Sequence, residues 1–263
     1  MSASRKCLSY ALSPHSKTIW KEDEAGGLAL IDAGQINGLA TRLRKLYQPE
    51  KCFLLYEDTF AENVAELSPM LVELSSDPHQ LALELRDLDG LCAGLPILAL
   101  IQTHQSTAQW LRHLRSLLRL QMDGSEYLWR FADTQMLQAT SSILTPEQRI
   151  AVFGGCRSWW IVTADGTPKD MAFSTAKQNA ETTQPLRLDA SQEHALLTQI
   201  APFMLASQLR SMDARFNNQL THAEQSTFSA KCIEDARGEF LDEDTELLSW
   251  ALSKWQEVPH AQD

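Results

Sequence analysis

The stretch from Pro96 to Asp133 constrains the fold most, because a buried strand, a basic helix and a tight hairpin follow one another with almost nothing between them. The apolar run Ile97 to Ile101 is bounded by Pro96 and by the polar QTHQST. It is too short to cross a membrane and reads as a strand covered on both faces. Trp110, Leu111, Leu114, Leu117 and Leu118 then fall at helical spacing, and Arg112, His113, Arg115 and Arg119 occupy much of the remaining surface. In MDGSEYLWRF, Asp123-Gly124 is the strongest short hairpin signal. Asp133 is placed to cap a helix over Thr134 to Ala139.

The flanking sequence alternates in the same way. Cys7 to Leu12, Leu28 to Ile31, Cys52 to Tyr56 and Met70 to Leu74 read as strands. Ile36, Leu39, Ala40, Leu43 and Leu46 mark a helix with Arg42, Arg44 and Lys45 outward, and a short helix is expected from Ala61 to Glu66. Pro78 opens a helix with Leu81, Leu85 and Leu88 on its face, with Gly90 beyond its end. Thr145 caps a helix over Pro146 to Phe153. Ser158 to Val162 is a strand, which Asp165-Gly166 is expected to turn into a hairpin with Met171 to Ser174. Residues 175 to 190 are polar and read as a linker.

Beyond the linker the pattern is helical throughout. Leu205, Leu209, Met212, Phe216 and Leu220 define a long helix with Pro202 near its first turn; a second runs from Ser226 to Arg237, and a third from Asp242 to Trp255. The fold class is therefore α/β, with an N-terminal α/β lobe built on a central sheet (1–180) and an all-helical C-terminal lobe (181–263). From Arg187 onward there are six basic and thirteen acidic residues, so the helical part carries much of the formal charge of −11.

That charge argues against nucleic acid as a partner, since phosphate binding needs a positive surface. The five cysteines are scattered without a C-x-x-C, which disfavours a disulfide scaffold or zinc site and suits a reducing cytoplasm. No window reaches the roughly 18–20 apolar residues of a membrane span, and MSASRKCLSYALSPHSK lacks a signal-peptide core, so neither membrane nor export is expected.

No dinucleotide, phosphate-loop, nucleophile-elbow or zinc-protease motif occurs, and neither cofactor nor metal is expected. The best enzyme-like arrangement is Asp32 after LALI and Glu57-Asp58 after CFLLY. Carboxylates at strand ends of an open parallel sheet are placed to hold Mg²⁺ for phosphoryl transfer or hydrolysis, although capping alone also explains Asp there. His104 and His113 lie nine residues apart, off ligand spacing, and read as solvated; Cys156 reads as a structural thiol. Arg112, Arg115 and Arg119 line one helix side with no acidic residue from Gln105 to Gln121. They are either an ordinary solvated face or, with Trp110 as aromatic anchor, a docking surface for an acidic or helical partner. Trp250 and Trp255 read as lobe packing or as the lining of a peptide groove.

Several segments, taken in order, carry a family resemblance. LALIDAG, through Leu30, Ile31, Asp32 and Ala33, resembles an opening Y-A-L-L-D-G-A strand. LYEDTF stands where the family has L-x-x-G-T-P, followed by matches at Pro69, Leu71, Val72 and Leu74. Arg130, Phe131 and Asp133 match an R-F/Y-x-D-P-R-V-L entry into a helix, and Leu144, Gln148, Phe153 and Gly154 match a later segment. FLDEDTELLSWAL resembles the family's ending. The family is that of the adaptor chaperones of type VI secretion, catalogued as domain of unknown function 4123. The resemblance implies a cytoplasmic, non-enzymatic adaptor that binds the N-terminal region of a toxic effector and the C-terminal tail of the VgrG spike, and loads one onto the other.

Overall fold

A computed structural model describes residues 27–92, 95–163, 168–172, 185–238 and 244–257. The strand expected over Cys7 to Leu12 and the Asp165-Gly166 turn lie outside the described residues. The chain divides into two compact units, Met1–His194 and Ala195–Asp263.

The first unit is an α/β lobe around a six-stranded sheet. Its strands are β1 (Gly27–Ile31), β2 (Cys52–Leu54), β3 (Met70–Glu73), β4 (Leu98–Thr103), β7 (Cys156–Val162) and β8 (Pro168–Asp170), in the order β2-β3-β1-β4-β7-β8. Every neighbouring pair is antiparallel. This overturns the open parallel sheet on which the strand-end carboxylate reading rested. The continuous apolar runs LALI and ILALI arise instead because both faces of an antiparallel sheet are covered. On one face Ala29, Ile31, Met70, Val72, Leu98 and Leu100 pack against Leu39 and Leu43 of α1 (Leu39–Leu46) and against Leu81, Leu85 and Leu88 of α2 (Pro78–Cys92). The other face carries Trp159, which meets Trp110 of α3 (Thr107–Ser116), Phe131, and Phe153 of α5 (Pro146–Phe153). The two edge strands are three residues each, and β8 opens with Pro168; both limit edge-to-edge pairing.

Local signals hold where they are local. Asp133 accepts hydrogen bonds from the backbone N–H groups of Gln135 and Met136 and caps α4 (Thr134–Ile143). Thr145 and Gln148 form a capping box on α5, and Ser106 with Gln109 forms another on α3. Asp123 and Gly124 have φ of 44° and 71°, the two left-handed residues a tight turn needs between β5 (Arg119–Met122) and β6 (Ser125–Leu128). Gly34 is required by close approach: a Cβ there would sit 2.8 Å from the Leu67 carbonyl oxygen.

Two helix boundaries and one linker differ from the sequence reading. Gly90 lies inside α2, which continues to Cys92. Within the expected linker, Leu186–Arg187 forms β9, which pairs parallel with β5 in a second small sheet. The long helix α6 (Ala190–Met212) starts twelve residues before Pro202 and runs through it. A proline there costs on the order of 3 kcal/mol, and burial of Leu196, Ile200, Leu205 and Leu209 opposes it.

The second unit is helical throughout its described residues. α7 (Ala214–Gln219), α8 (His222–Gly238) and α9 (Asp244–Glu257) complete it with the end of α6. Phe216, Phe228 and Trp255 meet edge-to-face at its centre, and the Trp255 indole N–H donates to Asp213 at 3.1 Å. Trp255 is packing rather than groove lining, while Trp250 is half-buried beneath Lys254.

Candidate functional site

The four residues taken as a docking surface separate in the structure. Trp110 is fully buried, its indole N–H donating to the Thr103 hydroxyl and its ring edge-on to Trp159. It is core, and the anchor role is withdrawn; a bulky aromatic at helical spacing fits either reading until the opposing face is known. Arg112 is exposed on α3. Arg115 turns inward, donating to the Leu54 carbonyl at 3.1 Å and lying 3.9 Å from the Glu57 carboxylate. Arg119 is beyond the end of α3, in β5, so the three arginines do not share one helix side. It pairs with Glu126 at 2.7 Å and stacks 4.5 Å above the Phe60 ring.

Arg115 and Arg119 therefore both hold the turn from Glu57 to Phe60. Asp58 adopts φ of 55°, a left-handed conformation that favours glycine, and stands where the resembling pattern has Gly. The Thr59 hydroxyl donates to the Tyr56 carbonyl at 2.7 Å and accepts from the Ala61 N–H. The turn geometry thus survives the change of residue. Asp58→Gly is expected to stabilise the protein by about 0.5–1 kcal/mol by relieving that backbone. A thermal melt that does not rise would refute this account of the turn.

The histidines also differ from expectation. His113 is not solvated: its Nε2 lies 2.9 Å from the Val152 carbonyl oxygen, and burial pushes its pKa below the usual value. His104 is exposed. Cys156 is buried, and desolvation pushes its thiol pKa upward, away from nucleophile behaviour. The strand-end carboxylates do not assemble either. Asp32 is buried with its side chain turned to Arg130, Glu57 reaches toward Arg115, and Asp58 occupies the turn. Among the described residues no three His, Cys, Asp or Glu side chains group as a metal-binding set.

What the fold does bring together is a junction of two distant segments. Asp32, at the end of β1, is 1% exposed and accepts from Arg130 at 2.9 Å and from the Gln35 amide at 3.2 Å. Arg130 is held rigidly from below while half of its side chain faces solvent. Three residues on, Asp133 caps α4; desolvation raises its carboxyl pKa against the pull of its two backbone donors. The Thr134 N–H and hydroxyl both donate to the Pro96 carbonyl, and the Asp32 N–H donates to that of Ile97. β1, β4 and α4 are thereby fastened at one corner of the sheet. Sequence reading named Asp32 and Arg130 separately; no local signal could pair residues 98 positions apart.

Residues 28–151 match the family described as Domain of unknown function (DUF4123). The matched DUF4123 segment runs from β1 into α5 and contains both halves of the Asp32–Arg130 junction. It leaves out β7, which supplies Trp159 and pairs with β4 along the centre of the sheet. No curated protein and no solved structure matches the chain. Among the described residues no helix is long and apolar enough to cross a membrane.

Proposed function

We propose that this protein is a cytoplasmic adaptor chaperone of type VI secretion, which binds the N-terminal region of a toxic effector and the C-terminal tail of the VgrG spike and loads the first onto the second. It performs no catalysis in this reading. The match to DUF4123 over the segment containing Asp32 and Arg130 carries the proposal. The scatter of the strand-end carboxylates and the buried, high-pKa Cys156 thiol support a binding role over a hydrolytic one.

Within this reading the partner surface does not include Trp110. It takes in Arg112, which is exposed on α3, and the outer side of the turn that Arg115 and Arg119 hold, where Phe60 is 44% exposed. A fixed cation beside an exposed ring suits recognition of a polypeptide.

The test is co-expression with the products of the neighbouring genes, which this reading expects to include an effector and a spike protein, followed by affinity capture. A complex containing all three is expected, with the effector less soluble when the adaptor is omitted. Charge reversal at Arg112 together with Phe60→Ala should weaken effector or spike capture at least tenfold without lowering the melting temperature. If neither partner is captured, and the effector is equally soluble and equally secreted without this protein, the adaptor reading fails.

A further inference from the structure

A shallow, open groove of about 610 Å³ lies between α1 and α2, lined by Arg42, Lys45 and Leu46 on one side and by Arg86, Gly90 and Leu91 on the other. It lies on the outer side of the helices whose inner faces cover the sheet. Three features set it apart from an ordinary solvated face. The first is charge. In a protein of formal charge −11, the groove carries three cations and a single anion, Asp87, which sits 3.7 Å from Arg86. Arg42 and Lys45 form no ion pair among the described residues. The arginines of the α3–β5 stretch differ in this respect, since Arg115 and Arg119 both face carboxylates of their own chain.

The second is an apolar floor. Leu46 is 46% exposed and Leu91 half-buried, so the cations rim a surface that water covers poorly. The third is Gly90. A glycine in an exposed helix interior costs about 1 kcal/mol relative to alanine. Among the described residues nothing requires it here: a Cβ at Gly90 would meet none of their atoms within 4 Å. The missing side chain leaves room at the centre of the groove.

We propose that this groove docks an acidic amphipathic segment of a partner polypeptide, helical in the bound state. One or two of its apolar side chains rest over Leu46, Gly90 and Leu91, while its carboxylates meet Arg42, Lys45 and Arg86. Helix-in-groove recognition combines an apolar stripe with flanking charges in this way, and complementary charge sets orientation and association rate. This inference rests on the adaptor reading only in supposing that the chain grips polypeptides, and it assigns a site that reading leaves open.

The probe is a fluorescein-labelled amphipathic peptide of Leu, Ala and Glu at helical spacing, compared with versions carrying Gln or Lys in place of Glu. Binding to the full chain is read by fluorescence anisotropy at low and high salt. The Glu peptide is expected to bind at least tenfold more tightly than the Gln peptide, to weaken as salt rises, and to lose at least tenfold affinity in Arg42→Glu/Lys45→Glu. Gly90→Leu should lose affinity to a similar extent while its melting temperature stays level or rises, because leucine favours the helix that glycine disfavours. A global unfolding effect would move both readings together.

Equal affinity for the three peptides, or for wild type and Arg42→Glu/Lys45→Glu, overturns the proposal. So does concentration-dependent dimerisation by light scattering that the double variant abolishes, because the occupant would then be the acidic helical unit of a second copy. If effector and spike are captured and the double variant leaves that capture intact while the peptide fails to bind, the groove falls and the adaptor reading stands. If the Glu peptide binds as described but no secretion component is captured, the groove stands and the adaptor reading falls.

Discussion

Trp159→Ala is expected to cost about 3–5 kcal/mol of folding free energy, the range for emptying a buried aromatic site. Trp159 is fully buried in β7 at the point where Trp110, Phe131 and Phe153 converge, with ring centroids 6.0, 6.5 and 5.4 Å away and all three pairs edge-to-face. Such pairs add about 0.5–1.5 kcal/mol each beyond the area they bury. Trp159→Phe should cost far less than its lost volume suggests. The indole N–H of Trp159 is buried with no hydrogen-bond partner among the described residues. Removing it returns part of a desolvation cost of about 1–3 kcal/mol. Urea unfolding followed by far-ultraviolet circular dichroism measures both variants. A loss under about 1 kcal/mol for Trp159→Ala would show that this cluster is not where the sheet's second face is anchored.

The second large effect is expected at Asp32 and Arg130. Removing one partner of a buried ion pair costs about 3–5 kcal/mol, because the other charge is left in a poor solvent. Asp32 is 1% exposed, but half of the Arg130 side chain is in water, so a cavity at position 130 would admit solvent toward the carboxylate. Arg130→Ala is therefore expected nearer to about 2–3 kcal/mol. Asp32→Asn should cost less, since the stranded guanidinium is already half solvated. The double variant should be more stable than Arg130→Ala alone, because no unpaired buried charge remains, with a coupling of about 1–2 kcal/mol in the cycle. Strictly additive losses would mean that the pair is a surface contact with no hold on β1 and α4.

The same junction ties together two segments that both lie within the matched residues 28–151. Arg130 faces Asp32, and Asp133, three residues on, caps the helix that the Thr134–Pro96 contacts tie to the start of β4. A change at any one of these positions loosens the corner of the sheet. Interference with partner binding by such variants must therefore be read against their melting temperatures.

The sequence by itself determined what depends on neighbours within a few residues. Asp133 and Thr145 cap their helices because a side-chain oxygen needs only the next two or three backbone N–H groups. Asp123-Gly124 turns its hairpin because those two residues tolerate positive φ. Alternation of strands with helices, followed by helices alone, was likewise legible, since hydrophobic period is a local property. Tertiary structure decided what faces what. A continuous apolar run says that a strand is covered on both sides but not which way its neighbour runs, so the antiparallel order was not written in LALI or ILALI. Trp110 and His113 share a helix with Arg112, yet packing buries the first, partly buries the second against Val152 and leaves the third in water. The pairing of Asp32 with Arg130, and the uncommitted cations of α1 beside Gly90 of α2, exist only because the chain folds back on itself. Long-range proximity has no signature in composition, spacing or propensity.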